Sequence, residues 1–229
     1  MGNDFAFSIR AQLAVVFLTT WTTSIVFGQP SPVAPRLDSM HGTMITMIDS
    51  TQGIEMEVWA KADKVRSEIK EGDKMIVVIQ LGDTLYTFSP GRKEGQKTRF
   101  DGGLAAHGLI EQIALVKSKG KLDGTQEANE IAYDRYAYEV DAPREQALVL
   151  LEAKTSLPKD WLSIVENGDN KPVASRTIFR DMQANVEVPD SHFELPAEVQ
   201  FEEVPAGELM ATPLPAPAGD DSPGPDPSK

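Results

Sequence analysis

Between residues 38 and 204 the chain is dominated by apolar side chains that alternate with polar ones. A period of two is expected of β-strands that pack on one face. The clearest case is 54–61, where Ile54, Met56, Val58 and Ala60 alternate with Glu55, Glu57, Trp59 and Lys61. This alternation predicts a strand with one mostly apolar face.

The segment VVIQLGDTLYTFSP, from Val77 to Pro90, holds two apolar runs on either side of Gly82-Asp83. A Gly-Asp pair between two such runs predicts a hairpin turn, and proline ends the second run because it cannot donate to a ladder. The preceding segment KVRSEIK continues the alternation towards it. Further strands are predicted over Ile131–Asp141, Ala147–Ala153, Trp161–Glu166 and Val173–Met182, with an edge strand over 193–204 that Pro196 interrupts.

Residues 102–120 have a different pattern. Their apolar residues are spaced at three to five positions, two lysines stand near the end, and Gly120 follows as a stop signal. This spacing predicts one helix or two short ones. One helix about 10 Å across cannot cover a flat sheet of about eight to ten strands spaced about 4.8 Å apart. We therefore expect a mainly β fold with α: a strongly curved antiparallel sheet that closes on itself, meets a partner or leaves an apolar groove for a ligand.

The two ends of the chain have compositions unlike the middle. In residues 1–28, Arg10 precedes a 17-residue apolar stretch that leads to Gly28, which predicts a secretory signal peptide. The alternative is an uncleaved anchor, because a spanning helix needs about 20 residues. We interpret 29–37 as a proline-rich linker, 38–204 as the folded domain and 205–229 as a disordered, proline-rich acidic tail.

Charge and motif content narrow the classes of function. Acidic residues outnumber Lys and Arg by 35 to 22, so we expect no nucleic-acid binding. There is no cysteine, which excludes thiolate metal sites and a thioether lipid anchor. His41, His107 and His192 lack the spacing of a zinc site, and no hydrolase or nucleotide-binding motif occurs. We expect neither an enzyme nor a cofactor or metal, with a hydrolase that uses a histidine and a carboxylate as the less favoured alternative.

The order of segments resembles the outer-membrane lipoprotein carrier family, the LolA/LolB-like proteins. The similar pieces are VWAKADKVRSEI, IQLGDTLYTFSP, the apolar helix, SLPKDWLSIVENGDN and TIFRDMQANVEVPDSHFELP, in that order within about 38–204. The resemblance implies a half-closed β-barrel of about eleven strands, lidded by helices. Its apolar interior would take up the acyl chains of lipoproteins or lipids.

The resemblance also implies a function and a location. The protein would be an exported, periplasmic carrier or chaperone in outer-membrane lipoprotein sorting, with inner- and outer-membrane sorting components as partners. We expect a monomer. The alternative is a non-transporting interaction or envelope-sensing module of the same fold.

Strand parity and the resemblance together predict the site residues. We expect the concave cavity lining to comprise Met56, Val58, Ala60 and Ala62, with Val77, Ile79 and Leu81 as the adjoining set. The underside of the lid would be Leu109, Ile113 and Val116, and the alternative for every one of these residues is ordinary core packing. Carriers of this family have an arginine that holds the lid where this chain has Ala62, so Arg66 is the candidate for a rebuilt latch.

Overall fold

The computed structural model describes residues 36–48, 53–140, 145–166 and 172–205. In these ranges twelve strands form one sheet, with one α-helix and two short 3₁₀ turns. The strands are β1 Ser39–Ile48, β2 Ile54–Lys61, β3 Lys64–Glu71, β4 Lys74–Leu81, β5 Thr84–Phe88, β6 Glu94–Arg99, β7 Lys121–Ala128, β8 Ile131–Val140, β9 Glu145–Glu152, β10 Pro158–Glu166, β11 Pro172–Ala184 and β12 Gln200–Glu203. The helix α1 is Leu109–Lys119, and the 3₁₀ turns are Leu104–Ala106 and Asp190–Phe193.

The strand order is β12-β6-β5-β4-β3-β2-β1-β11-β10-β9-β8-β7. Neighbouring strands are antiparallel, except that β12 runs parallel to β6. The pairing of β1 with β11 joins two meanders, so the first strand of the domain lies in the middle of the sheet. The edge strands β12 and β7 do not pair with each other, and the sheet is therefore not closed by hydrogen bonds.

Helix α1 shows that the sheet is strongly curved. It contacts β2 on one side and β7 and β8 on the other, although four strands separate β2 from β8. In a flat sheet β2 and β8 would be roughly 24 Å apart, whereas a helix of this length is about 10 Å wide and about 16 Å long. The sheet must curl around the helix. The predicted fold, a half-open β-barrel with a helical lid, is confirmed.

The face of the sheet that meets α1 is called the concave face here, and the buried residues that pack between this face and α1 form the lid cluster. Direct partners in an antiparallel ladder point to the same side, so the pairing identifies the members of this face. The cluster contains Leu37, Met40, Val58, Ala60, Leu104, Leu109, Ile110, Ile113, Val116, Tyr138, Ala147, Val149, Leu151, Leu157, Trp161 and Phe179.

A second cluster lies on the opposite, outer face, under residues 186–204, which we call the strap. It consists of Val77, Ile79 and Phe88, with Leu195, Val199 and Phe201 of the strap among the side chains packed against it. The ring of Phe201 lies over Gly95, where any side chain would collide with it: an added Cβ would be 2.7 Å from the ring. The strap includes β12, which is the edge strand of the sheet beside β6.

Most of the predicted strands are present with shifted ends, and two strands had not been predicted from the sequence: β6 and β7. The prediction of an edge strand over 193–204 is wrong in extent, because only Gln200–Glu203 is a strand and Phe193 belongs to a 3₁₀ turn. The predicted signal peptide, nearly all of the linker and the tail beyond Pro205 lie outside the described residues. Among the described helices, none has the length and apolarity to cross a membrane.

Candidate functional site

A row of apolar side chains crosses five neighbouring strands on the concave face. The strand pairing aligns them from β4 to β11 in the order Ile76, Ile69, Met56, Met44, Phe179. The two ends of this apolar row are buried, at 5% and 2% exposure, while the three middle side chains are only half-buried. The concave face therefore has hydrocarbon surface that the protein covers only in part.

Helix α1 covers the other part of this face with its apolar underside. Leu109, Ile110, Ile113 and Val116 are buried, and Val116 has no exposed surface. They pack in one cluster with Val58 and with residues of β8 to β10. Tyr136 of β8 packs against this cluster. Burial, with a smaller contribution from Asp134, raises the pKa of its phenol.

Two polar side chains from opposite walls hold the segment that leads into α1. The Gln80 Nε2 of β4 donates hydrogen bonds to the carbonyl oxygens of Ala105, at 2.9 Å, and His107, at 3.1 Å. The Leu104 backbone N–H donates to Glu145 Oε2 at the start of β9, at 3.0 Å. Five strands separate β4 from β9, so this pair of contacts, which we call the clamp, ties the segment to two distant parts of the sheet.

Gly108 fixes the start of the helix against the β2–β3 turn. A Cβ added at Gly108 would be 2.6 Å from the carbonyl carbon and oxygen of Asp63. Its φ of −63° and ψ of 157° suit any residue, so the requirement for glycine is steric rather than conformational. The lid thus meets the sheet backbone at van der Waals contact.

A groove of about 580 Å³ runs along the flank of α1, where the first described residues enter the domain. Its lining combines an apolar floor with charged side chains. The lining residues are Arg36, Leu37, Asp38, Lys61, Ala62, Ile110, Glu111, Ile113, Ala114, Lys117 and Ser156. The volume is within the range of about 300–1,000 Å³ typical of small-molecule sites.

The predicted cavity residues divide between the two faces. Met56, Val58 and Ala60 lie on the concave face, as expected, and Ala62 lies exposed in the β2–β3 turn, with φ +53°, at the groove. The expectation that a second set adjoins them is wrong. The residues of that set, Val77, Ile79 and Leu81, belong to the strap cluster or pack against it on the outer face.

The register of β2, β3 and β4 explains this correction. Ala60 faces Val65, which faces Gln80, so the even-numbered residues of β4 point into the barrel. Ile79 faces Arg66 and therefore points outward. Whether Met56, Val58, Ala60 or any of the other residues contacts a ligand stays a prediction.

The predicted lid residues Leu109, Ile113 and Val116 do form the buried underside of α1. The side chain of Arg66, the predicted latch, does not hold this helix. The Arg66 side chain points outward, where Nη1 donates to the His192 carbonyl oxygen at 3.0 Å and Nη2 lies 2.7 Å from Glu68 Oε1. It therefore secures the strap. The hydrogen bonds to the segment before α1 come instead from Gln80. Its signal in the sequence is that it is the one polar residue within the apolar run MIVVIQL.

The outer face also brings together two histidines that are far apart in the chain. The His41 ring stacks on Trp59 at 5.1 Å between centroids, and the His192 ring meets the same indole edge-on at 5.4 Å. His41 Nε2 is 2.9 Å from Glu57 Oε1. The described residues contain no cluster of three or more His, Asp and Glu side chains placed to hold a metal ion.

No protein-family model matches the chain, and no curated protein matches its sequence. Among solved structures, an uncharacterized conserved protein from Thermus thermophilus is similar with a TM-score of 0.46 and 10% identity, over 73% of this chain and 91% of that one. PNGF-II is similar with a TM-score of 0.41 and 10% identity, over 76% of this chain but only 33% of its own.

A LolA superfamily protein from Nitrosomonas europaea is similar with a TM-score of 0.36 and 12% identity, over 71% of this chain and 93% of that one. It belongs to the family that the sequence resembles. Since all three TM-scores are below 0.5, these similarities assign no activity to the chain.

Proposed function

We propose that the protein is a periplasmic binder or carrier of lipoprotein acyl chains or lipids, which it holds on the concave face without covalent chemistry. The observation that carries the proposal is the apolar row beside the lid. Met44, Met56 and Ile69 stay half-buried there although they lie on the inner side of the sheet. Unbranched methionine side chains adapt to ligands of variable shape.

Magnitudes support an exchange between the helix and a hydrocarbon chain. Uncovering the four buried residues of the α1 underside would cost roughly 6 to 12 kcal/mol, at about 1.5 to 3 kcal/mol each. An acyl chain of about fifteen methylenes gains about 12 kcal/mol when it is buried, at about 0.8 kcal/mol per methylene. The two terms are similar, so acyl binding can offset displacement of the lid.

The clamp is the element that would be released first when the lid moves. Gln80 and Glu145 make hydrogen bonds with the backbone of residues 104–107, and each such bond contributes about 0.5 to 1.5 kcal/mol net, more where a charged group takes part. Releasing them costs less than uncovering the apolar underside. We therefore expect the segment before α1 to open more often than the helix itself.

The test is whether natively purified protein, expressed with its leader, carries lipid. Mass spectrometry of the organic extract should find acyl lipids in the wild type. Met44→Glu, which puts a carboxylate into the apolar row, should lose them. Ile45→Glu is the matched control, because Ile45 is the next residue of the same strand, is also half-buried and points to the outer face.

Wild-type protein that is free of lipid and binds no added acyl probe, although folded, would refute the proposal. Equal lipid loss in both variants would also contradict it, because the loss would then not depend on the concave face.

The second candidate is a non-transporting interaction or envelope-sensing module. The observation that favours it is the tight packing of the lid cluster, in which Val58, Val116 and Val149 are fully buried by the chain's own side chains. Deleting 205–229 would test it. Loss of partner capture with intact acyl binding would support a composite role, in which the tail recruits a partner in addition to the lipid role. No effect on either would count against this candidate and leave the tail as a passive extension.

A further inference from the structure

The groove beside α1 has a composition suited to an amphiphile rather than to hydrocarbon alone. Leu37, Ile110, Ile113 and Ala114 supply apolar floor, and the first three of them are buried members of the lid cluster. The groove is therefore continuous with the apolar interior. A ligand whose polar end lay in the groove could extend its tail under the helix.

The groove brings cationic side chains together on a chain whose formal net charge is −13. Its lining includes the cations Arg36, Lys61 and Lys117 and the carboxylates Asp38 and Glu111. Arg36 is paired with Asp38 at 2.8 Å, and Lys61 with Asp190 at 3.1 Å. The third cation, Lys117, is therefore the local positive charge that an anion could meet in the groove.

Lys117 is the cation most available to a ligand. Its Nζ donates to the Ser156 hydroxyl at 2.6 Å, and within the described part of the chain no carboxylate lies within 4.0 Å of it. Lys61 differs, because its Nζ is already bound to the Val188 carbonyl oxygen at 3.2 Å and to Asp190 at 3.1 Å. The partner of the Lys117 ammonium is thus an uncharged hydroxyl. A ligand with a charged oxygen would form a stronger hydrogen bond with this ammonium.

We infer that this groove binds the head group of an anionic amphiphile, a carboxylate or phosphate monoester, through Lys117, while the alkyl tail enters beneath α1. The inference rests on the proposed function and adds the class of head group to it. The carboxylate and the phosphate share the chemistry that the ammonium recognises, a charged oxygen that accepts short hydrogen bonds.

The test uses ligands with one tail and different heads: dodecanoate, dodecyl phosphate, dodecanol and dodecyltrimethylammonium, measured by isothermal titration below their micelle concentrations. We expect the two anions to bind the full chain roughly tenfold more tightly than dodecanol, the effect of one charge-assisted contact. The cation should bind more weakly than dodecanol. The preference for anions should decrease as salt is added, because the groove is open to solvent.

Lys117→Gln should remove most of this preference and leave dodecanol binding unchanged. Lys119→Gln is the matched control, since Lys119 is in the same last turn of the helix but does not line the groove. Far-ultraviolet circular dichroism of both variants confirms that they are folded.

The outcomes separate the inference from the proposed function. Equal affinity for all four ligands, or an anion preference that survives Lys117→Gln, would overturn the head-group inference and leave the lipid proposal standing. Binding of none of the ligands would refute the proposed function itself. Displacement of dodecyl phosphate by inorganic phosphate alone at millimolar concentration would show a free-anion site and would overturn the assignment to an amphiphile.

Discussion

Gly108→Ala should loosen the lid while the rest of the barrel stays intact. The added methyl would be 2.6 Å from backbone atoms of Asp63, closer than real Cβ contacts, so the helix start and the β2–β3 turn must separate. Overpacking of this kind costs typically about 1 to 3 kcal/mol. The glycine dihedral angles suit alanine, so strain in the backbone adds nothing.

Two measurements check this prediction together. Urea unfolding followed by tryptophan fluorescence should show the lower stability, and binding of the dye 1-anilinonaphthalene-8-sulfonate should increase because the concave face is uncovered. Gly72→Ala is the control. It also loses stability, by about 1 to 2 kcal/mol, because its φ is +62°, but a Cβ there meets nothing within 4 Å. Its dye binding should therefore stay at the wild-type level.

A Gly108→Ala protein with wild-type stability and dye binding would refute this prediction. An equal increase of dye binding in both alanine variants would also refute it, because the effect would then come from general destabilisation rather than from the lid.

Three further predictions concern the outer face. Ile79→Ala should destabilise the fold by about 2 to 5 kcal/mol, because it opens a cavity in the strap cluster, and acyl binding should stay unchanged in titrations; lost binding would contradict the outward register. Arg176→Met should cost about 1 to 3 kcal/mol in urea unfolding, since it removes the bidentate partner of Asp160, whose side chain is 12% exposed; an unchanged midpoint would show that the pair contributes nothing. The hydrogen bond from Lys61 holds the pKa of Asp190 below its ordinary value of 3.8, so this contact stabilises the strap above that pH and is lost as the pH falls through the lowered pKa. The protection of the strap's backbone amides against hydrogen exchange should then decrease in acid. An equal decrease in Asp190→Asn would argue against this carboxylate as the cause.

Much of the strand pattern was readable from the sequence because most strands pack one face more tightly than the other. The alternation in 54–61 is retained in the structure, with Val58 and Ala60 buried and Glu55 and Glu57 exposed. The helix was also recognisable from the spacing of its apolar residues. These signals are local: each is set by side chains within one element.

The β4 segment shows where local signals fail. Its run of apolar residues has no wholly polar side, because the barrel interior lies on one face and the strap covers the other, so alternation cannot tell which side is inner. The side was decided by register with β3, which places Gln80 inside and Ile79 outside. A shift of one residue would have reversed every side chain.

By itself the sequence determined the type and approximate position of most elements and the curvature that a single small helix requires. Only the tertiary structure decided that Gln80 and Glu145 meet the lid from opposite walls, that Arg66 belongs to the strap, and that Lys117 stands over an apolar groove. The physical reason is sequence separation. Leu104 and Glu145 are 41 residues apart, and Arg66 and His192 are 126 apart. Contacts of this range depend on how the strands are ordered and registered, which no local pattern of side chains records.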